Sequence, residues 1–184
     1  MKTGSHSASG WSLMQRLNRE PQARYAGRFV IAEQLPNNGA VTAPVASGGA
    51  GFSAQYHQKF RDNIRNAVFN MASNNADMQS VRDALLGSGA TIQGKSALNY
   101  VQLHDEAWPS SGGQRMVKTI DTSAPYDDIY AMGRTKLAEG LTFTSQGVPE
   151  LLQGDEWLES IGFVPASQYR LDGAKKPTYN ARYS

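Results

Sequence analysis

The amino-acid sequence predicts an α/β fold built around a parallel sheet, as in part of a (β/α)8 TIM barrel. Short apolar segments near residues 28, 51, 98 and 148 alternate with helical patterns, which is typical of βαβ units. Three of these segments run into ionisable side chains, as strands do at the rim of a barrel active site. Four such units make half of an eight-stranded barrel of about 250 residues. We therefore expect a partial barrel.

Composition excludes several classes of protein. The 184 residues are 40% hydrophobic and 18% charged, which indicates a globular chain long enough for one core. The net charge of +2 is too small to predict a nucleic-acid or membrane partner. There are no cysteines, hence no disulfides or thiolate metal sites. The sequence predicts no cofactor and no metal site. The first ten residues are polar and do not form a secretory signal, so we expect a cytoplasmic protein.

The N-terminal part of the chain predicts a helix and then a strand. The apolar residues Trp11, Met14 and Leu17 recur at helical spacing. Pro21 is predicted to end the helix that they form. Residues 29–32 are a continuous apolar run, which is expected of a strand covered on both faces. This run ends at Glu33, and the turn-forming residues 35–39 follow. The first strand therefore delivers a carboxylate at its C-terminal end.

The middle of the chain predicts a weak strand and two helices. Residues 51–56 are the weak strand. An amphipathic helix follows, with Arg61 and Arg65 assigned to its solvated face and an apolar face formed by Phe60, Ile64, Ala67, Val68 and Met71. Asp77 is predicted to cap a shorter helix that Gly87 ends.

The second half of the chain repeats the pattern of a strand followed by ionisable groups. A buried strand containing Leu98 and Tyr100 leads to His104, Asp105 and Glu106. A long polar loop, residues 106–128, precedes a helix that Asp127 and Asp128 begin and Gly147 ends. Residues 148–152 are predicted as a fourth strand, which opens into Asp155, Glu156 and Trp157.

Four segments resemble the alpha-amylase superfamily, glycoside hydrolase family 13. Residues 99–106 (Asn-Tyr-Val-Gln-Leu-His-Asp-Glu) are similar to the family segment that ends in His-Asp. Residues 137–156, with Ser-Gln-Gly-Val-Pro and Gly-Asp-Glu, resemble its seventh helix and eighth strand. Residues 29–33 resemble its fifth strand, and residues 48–52 its sixth-strand region, most like branching enzymes. The resemblance covers roughly residues 11–175 and implies strands 5 to 8 of the barrel.

The resemblance implies a retaining mechanism on the α-glucosidic bonds of starch, glycogen or maltooligosaccharides. Glu33 matches the general acid, whose pKa we expect burial and carboxylate neighbours to raise. Asp105 matches the carboxylate that stabilises the oxocarbenium-like transition state. His104 matches the histidine that binds the sugar in the −1 subsite. These residues follow strands two positions apart, so we expect them on the same rim.

The family's nucleophile has no counterpart here. It is an aspartate in a Gly-Phe-Arg-x-Asp type motif before the general acid, and nothing in residues 1–28 fits that motif. Residues 169–172 (Tyr-Arg-Leu-Asp) have similar letters but follow the eighth strand, so we interpret them as a coincidence. We therefore expect residues 1–184 to be the C-terminal half of a glycosidase barrel, without its N-terminal half or the C-terminal β domain. We also expect this chain alone to be inactive, since no glycosyl–enzyme intermediate forms without a nucleophile.

Simpler interpretations stand beside these assignments. Without the resemblance, Glu33 is a residue that ends a strand in solvent. Asp155 and Glu156 are structural or outer-subsite residues rather than catalytic ones. Trp108 and Trp157 either stack on sugar rings or pack against other side chains. His6 and His57 are assigned to the surface.

Two functions from different classes remain. The favoured one is a glycoside hydrolase or glucanotransferase of the alpha-amylase type, with 1,4-alpha-glucan branching enzyme as the favoured subtype. The alternative is a non-catalytic glucan-binding or interaction protein derived from half a barrel. In either case a partial barrel has open edges at residues 29–32 and 148–152, which predicts self-association.

Overall fold

The computed structural model describes residues 8–25, 27–70, 76–87, 92, 94–107, 114–121 and 128–159. Short 3₁₀ turns occur at Val45–Ser47, Gly94–Ser96 and Asp155–Trp157. The helices are α1 Ala8–Arg24, α2 Gly39–Thr42, α3 Gln58–Asn70, α4 Met78–Leu86, α5 His104–Ala107, α6 Met116–Ile120 and α7 Ile129–Thr144. The strands are β1 Ile31–Ala32, β2 Ala54–Tyr56, β3 Ala97–Asn99 and β4 Val148–Pro149.

Four strands in the described part of the chain form one sheet in the order β1-β2-β3-β4, and all three neighbouring pairs are parallel. Ile31 aligns with Ala54, Gln55 with Ala97, and Leu98 with Val148. Helices lie between successive strands in the chain, as parallel pairing requires. The prediction of a mixed α/β fold with a parallel sheet is confirmed. All four strands were predicted, and each is shorter than its apolar segment.

The chain divides into two compact units. Unit 1 comprises Met1–Val101 and Ala138–Glu150 and contains the whole sheet. Unit 2 comprises Gln102–Leu137 and Leu151–Ser184 and contains α5 and α6. Helix α7 begins in unit 2 and ends in unit 1. No helix within the described ranges is long and apolar enough to cross a lipid bilayer.

The core of unit 1 is formed by the sheet and the inner faces of α3 and α4. Four of the five residues predicted for the apolar face of α3 are buried, with Phe60 and Ile64 fully inaccessible. The fifth, Met71, lies outside the described residues. Helix α4 begins at Asp77, whose carboxylate accepts hydrogen bonds from the backbone N–H groups of Gln79 and Ser80. Gly87 ends α4 in the left-handed conformation, with φ 67°. Both predicted ends of this helix are therefore confirmed.

Two predictions for unit 1 are wrong in their burial. Phe29 and Ile31 are 47% and 43% exposed, so β1 is not covered on both faces. Arg61 and Arg65 do not form a solvated face, because Arg61 Nη1 donates to the Tyr100 hydroxyl at 3.3 Å and Arg65 Nη1 donates to the Val101 carbonyl at 2.9 Å. Long arginine side chains reach from α3 to the residues that follow β3, a contact that helical periodicity does not reveal.

Helix α1 does not end at Pro21, contrary to the prediction. It continues to Arg24 because its side chains are fastened to a neighbouring backbone on both sides of the proline. Four of them donate to consecutive carbonyl oxygens: Trp11 to Gly48 (2.9 Å), Gln15 to Gly49 (2.9 Å), Asn18 to Ala50 (2.8 Å) and Gln22 to Gly51 (3.0 Å). We call this set of contacts the α1 ladder. Tertiary hydrogen bonds here outweigh the local penalty of proline.

Unit 2 has its own buried residues, drawn from α5, α6, the start of α7 and residues next to them. Its apolar members are Leu103, Ala107, Met116, Val117, Ile120, Ala131 and Leu158. Helix α6 lies inside the segment predicted as a polar loop. Asp128 begins α7 as predicted, since its Oδ2 accepts from Ala131 N at 2.6 Å, whereas Asp127 lies outside the described residues. The strand predicted to run toward Leu103 ends at Asn99, and Tyr100 and Val101 are buried beyond it.

Candidate functional site

Glu33, the predicted general acid, follows β1 directly in unit 1. Its side chain is exposed, and the chain turns after it because Gln34 N donates to Ala32 O at 3.1 Å. Parallel pairing brings the carboxyl ends of the strands to one edge of the sheet, which is where parallel α/β folds place ligands. The burial from which we expected a raised pKa is not found at Glu33. The position of Glu33 after the strand agrees with the prediction, and its exposure does not.

The loop after Glu33 is fastened to the end of β2 by a buried amide. Gln55, which is fully inaccessible, accepts from Asn38 N at 2.9 Å and donates to Asn38 O at 2.8 Å. Asn37 donates to Tyr56 O and accepts from Gln58 N at 3.2 Å. Satisfied buried amides hold a backbone in one conformation. The chain around the carboxyl ends of β1 and β2 is thus held by Gln55.

His104 and Asp105, the other two predicted site residues, lie side by side in unit 2 in the first turn of α5. His104 Nε2 is 3.4 Å from Asp105 Oδ1, and the side chains are 59% and 66% exposed. A pair this exposed contributes little to stability. Both polar groups therefore remain accessible to a ligand, as residues that bind sugar must be.

Helix α5 is held at its start by Glu106. The carboxylate of Glu106 accepts from the backbone N–H of Leu103 at 2.9 Å. This is the acidic half of a capping box, in which the third helical residue reaches back to the residue before the helix. Leu103 and Ala107, which flank the turn, are buried. An accessible imidazole and carboxylate are thus carried on a short helix with buried ends.

A buried polar cluster, which we call the Asp155 cluster, comprises Gln102, Arg115 and Asp155 in unit 2. All three residues are at most 5% exposed. Asp155 Oδ1 accepts from Gln102 Nε2 at 2.8 Å and from Arg115 Nη1 at 3.2 Å. Arg115 Nη2 also donates to Gln153 O at 2.7 Å. Asp155 was predicted to be structural or part of an outer subsite, and its burial agrees with the structural interpretation.

The surroundings of Asp155 act in both directions on the ionisation of its carboxyl group. Burial raises the pKa of its carboxyl to about 6, while Arg115 and the hydrogen bond from Gln102 act in the opposite direction. Its Oδ2 has no hydrogen-bond partner among the described residues. The proton of the neutral form would therefore reside on Oδ2, leaving Oδ1 to accept from Gln102 and Arg115.

His57 was assigned to the surface, and this prediction is wrong. The residue is 2% exposed, and its Nδ1 lies 2.8 Å from Asn99 Oδ1. Asn99 in turn donates from Nδ2 to Gln146 O at 2.9 Å. Burial lowers the pKa of His57, against the effect of the Asn99 hydrogen bond. His57 is therefore a neutral core residue of unit 1 that donates from Nδ1.

The remaining candidates fall into two groups. Glu156 and Trp157 are exposed, the tryptophan at 64%. Trp157 is thus available for stacking, while His6, Trp108 and residues 169–172 lie outside the described residues.

A groove of about 360 Å³ runs along α1 in unit 1 and is lined by Leu13, Arg16, Leu17, Glu20, Pro21, Arg24 and Tyr25. None of the predicted site residues lines this groove.

Sequence reasoning singled out Glu33, His104 and Asp105 as candidates and did not predict the buried contacts of three other residues, Gln102, Arg115 and His57. Gln102 lies two residues before His104, and an amide between buried apolar residues is a signal for a buried hydrogen bond. No comparable local signal marks Arg115. No protein-family model and no curated protein matches the chain.

Proposed function

We propose that this chain supplies an acid/base carboxyl group and a sugar-binding pair to an α-glucan-active site of the alpha-amylase type. Glu33 would be the general acid, Asp105 the carboxylate that stabilises the transition state, and His104 a sugar ligand. The four parallel strands would be strands 5 to 8 of a partial (β/α)8 barrel. The substrates would be starch, glycogen or maltooligosaccharides.

The observation that carries this proposal is the accessible His104–Asp105 pair at the start of a capped helix. Its side chains are 3.4 Å apart and more than half exposed. An imidazole donates to sugar hydroxyls, and a carboxylate accepts from them. A carboxylate also stabilises positive charge on an anomeric carbon. Support from unit 1 comes from Glu33, which directly follows β1 of a parallel sheet.

Each side chain would have one task in a retaining reaction. Glu33 would donate its proton to the glycosidic oxygen as the bond to the anomeric carbon breaks, and would later take a proton from the acceptor. Asp105 would lower the energy of the oxocarbenium-like transition state. His104 would hold the sugar before and during the reaction. The acceptor would be water in a hydrolase and a sugar hydroxyl in a transferase.

The reaction also needs a carboxylate nucleophile, and the matching motif is not found in residues 1–28. A second candidate function follows from this observation. The same accessible pair would serve a non-catalytic glucan-binding protein, in which His104 and Asp105 bind sugar and no glycosyl–enzyme intermediate forms. The two functions share the binding step and differ in the chemistry.

The binding step is tested by titrating the full chain with maltoheptaose and measuring affinity by calorimetry. We expect saturable binding that His104→Ala weakens at least tenfold and that Asp83→Asn, a carboxylate substitution on α4 of unit 1, leaves unchanged. Absence of binding up to millimolar maltoheptaose would reject both functions.

The chemical step is tested with a fluorinated maltosyl fluoride that traps retaining glycosidases as covalent adducts. An adduct seen by mass spectrometry would show that the chain contains a nucleophile outside the family motif. Together with glycogen turnover that Glu33→Gln and Asp105→Asn each lower by several orders of magnitude, it would support the enzyme. Substrates with good leaving groups should suffer less from Glu33→Gln, since they need little protonation. Binding without an adduct or turnover would support the glucan-binding alternative.

A further inference from the structure

The Asp155 cluster is connected to the candidate site through the backbone of unit 2. Gln102 lies two residues before His104 and three before Asp105. Its side chain is fixed by Asp155 Oδ1 at 2.8 Å, and it is 1% exposed. The connection from the buried carboxyl to the exposed pair is therefore one hydrogen bond and two peptide units.

We propose that Asp155 is a positioning residue for the His104–Asp105 pair and acts through Gln102. The inference rests on the proposed function in that this pair is the one assigned to the sugar. Asp155 itself is buried and touches neither sugar nor the reacting atoms. Its task is to fix the start of α5, so that the two exposed side chains keep one orientation.

Three observations support this task. The N-terminal side of α5 is held twice, by Gln102 through Asp155 and by Leu103 N through Glu106 at 2.9 Å. The contact between Leu103 N and Glu106 lies within the first turn of α5, so it fixes the start of the helix only relative to that turn. Asp155 lies 53 residues further along the chain than Gln102, so the contact between them fixes the onset relative to the rest of unit 2.

Arg115 and Gly154 in turn hold Asp155. Arg115 binds Asp155 Oδ1 at 3.2 Å and Gln153 O at 2.7 Å, so it joins the carboxyl group to the backbone just before it. Gly154 has φ 102°, and a Cβ at this position would lie 2.7 Å from Arg115 Nη2. A glycine is therefore required where the guanidinium meets the backbone. The acceptor atom for Gln102 is thus itself fixed.

The test uses the ring signals of His104 in the full chain, measured by NMR after ¹⁵N labelling of histidine. Asp105→Asn provides the reference for a His104 ring that has lost its carboxylate neighbour. We expect Gln102→Met, which removes the donor and keeps the length of the side chain, to move the His104 signals at least halfway toward that reference. A folded Gln102→Met chain with wild-type His104 signals would overturn the proposal.

A second pair of variants separates the hydrogen-bond acceptor from simple packing. Asp155→Asn keeps an oxygen at Oδ1 and should leave the His104 signals near those of the wild type. Asp155→Ala removes it and should shift them as Gln102→Met does. Equal signals in the two variants would reject Asp155 as the acceptor that positions the pair.

Two control variants are compared with Gln102→Met. Gln79→Met matches its chemical change, and Ile64→Val matches its loss of stability. Gln79→Met breaks an exposed Gln–Asp hydrogen bond of 2.9 Å on α4, and Ile64→Val trims a fully buried side chain. Neither should move the His104 signals. Movement in either would show that general loosening, rather than the Asp155 contact, controls the pair, and would overturn the proposal.

Maltoheptaose affinity is the second readout and keeps the two proposals distinguishable. If the wild type binds, Gln102→Met and Asp155→Ala should weaken binding about tenfold, with Asp155→Asn within about threefold. Equal affinity in all variants would reject the positioning role for the sugar site. A wild type that binds no glucan rejects the proposed function, while the His104 signals still decide whether Asp155 positions the pair.

Discussion

The carboxyl group of Asp155 has a charge state that changes near pH 6. Burial disfavours the ion, whereas Arg115 and Gln102 favour it, and the resulting pKa is about 6. The ordinary value is 3.8, and a difference of this size corresponds to roughly 3 kcal/mol. Buried ion pairs commonly lose as much through desolvation as they gain through attraction. Asp155 therefore makes the free energy of unfolding depend on pH.

The sign of this dependence follows from the two pKa values. Between about pH 4 and pH 6 the folded protein holds a proton on Asp155 that the unfolded chain has released, so stability falls as pH rises through this window. We expect Asp155→Asn to lack this contribution. The measurement is denaturant unfolding of both chains at half-unit pH intervals from 4 to 7. A wild-type minus variant difference that does not change with pH would contradict the assignment.

His57 should act in the opposite direction. Its pKa is lowered from 6.5 in the folded state by burial. Below pH 6.5 the unfolded chain therefore binds a proton that the folded protein resists, and stability falls as pH falls. His57→Asn keeps a donor toward Asn99 and does not titrate, so its stability should decline less between pH 6.5 and 5. The same unfolding series compares it with the wild type, and parallel curves would refute the prediction.

Among the elements, α1 depends most clearly on contacts distant in sequence. The α1 ladder contains one buried donor, Asn18, which is 1% exposed. Its acceptor residue Ala50 is also buried, so water does not readily replace the donor. Gln22 makes a similar bond to Gly51 O, but in an exposed position. The bonds of the ladder should therefore differ in what they contribute.

Asn18→Leu should cost more stability than Gln22→Leu. Leaving Ala50 O without its donor costs about 1–3 kcal/mol. The same change removes Asn18 Oδ1, which has no partner among the described residues, so we expect a loss of about 1 kcal/mol. Gln22→Leu should cost a few tenths, because solvent replaces the exposed donor. Chemical denaturation at one pH measures both, and equal losses would show that burial does not rank the ladder.

Local signals predicted the elements well where local physics decides the structure. Asp77 and Gly87 mark the ends of α4 because capping and left-handed glycine are properties of a few adjacent residues. Pro21 failed as a helix end because the α1 ladder, which contacts residues about 30 positions away, overrides it. The apolar run at residues 29–32 predicted a strand but not its exposed face. Burial on both faces depends on neighbouring elements that a single run does not reveal.

For the candidate site, the sequence predicted which elements the residues follow but not how buried they are or which residues they contact. The sequence motif placed Glu33 after β1 and His104 and Asp105 together, which the structure shows. The exposure of Glu33 agrees with the simpler interpretation, a residue that ends a strand in solvent, and not with the burial that the resemblance implied. The burial of His57 was not predicted, because it depends on packing between elements. The contact of Gln102 and Arg115 with Asp155 joins residues 53 and 40 positions apart. The spacing of residues along the sequence does not predict such partners.

At the scale of the whole chain, the edge strands of the sheet differ in their chemistry. Edge strand β1 exposes Ile31 at 43%, and Phe29, just before it, is 47% exposed. Edge strand β4 contains Pro149, which lacks an N–H and cannot extend a ladder. An apolar edge invites pairing with another strand, and a proline edge discourages it. We therefore propose that self-association uses β1 rather than β4.

Ile31→Lys should reduce self-association without unfolding the chain. A lysine on an edge strand opposes pairing through charge and hydration. We expect the wild type to increase in apparent mass with concentration in light scattering, and the variant to stay monomeric over the same range. Leu86→Lys, at a 52% exposed position on α4, is the matched control and should behave as the wild type. If both lysine variants dissociate equally, net charge rather than the β1 edge is responsible.

The α1 ladder has a consequence for how relatives of this chain should be aligned. Each of the four consecutive carbonyls of residues 48–51 accepts from a side chain of α1, and Gln15 contacts both Gly48 and Gly49, so the segment has no spare residue. A substitution on α1 breaks one contact, whereas an insertion or deletion within the segment moves every later oxygen past its donor. Gly49 has no room for growth either, since a Cβ there would lie 2.1 Å from Ala43 O. Alignment gaps should therefore fall outside residues 48–51, and this segment can anchor the register of a distant comparison.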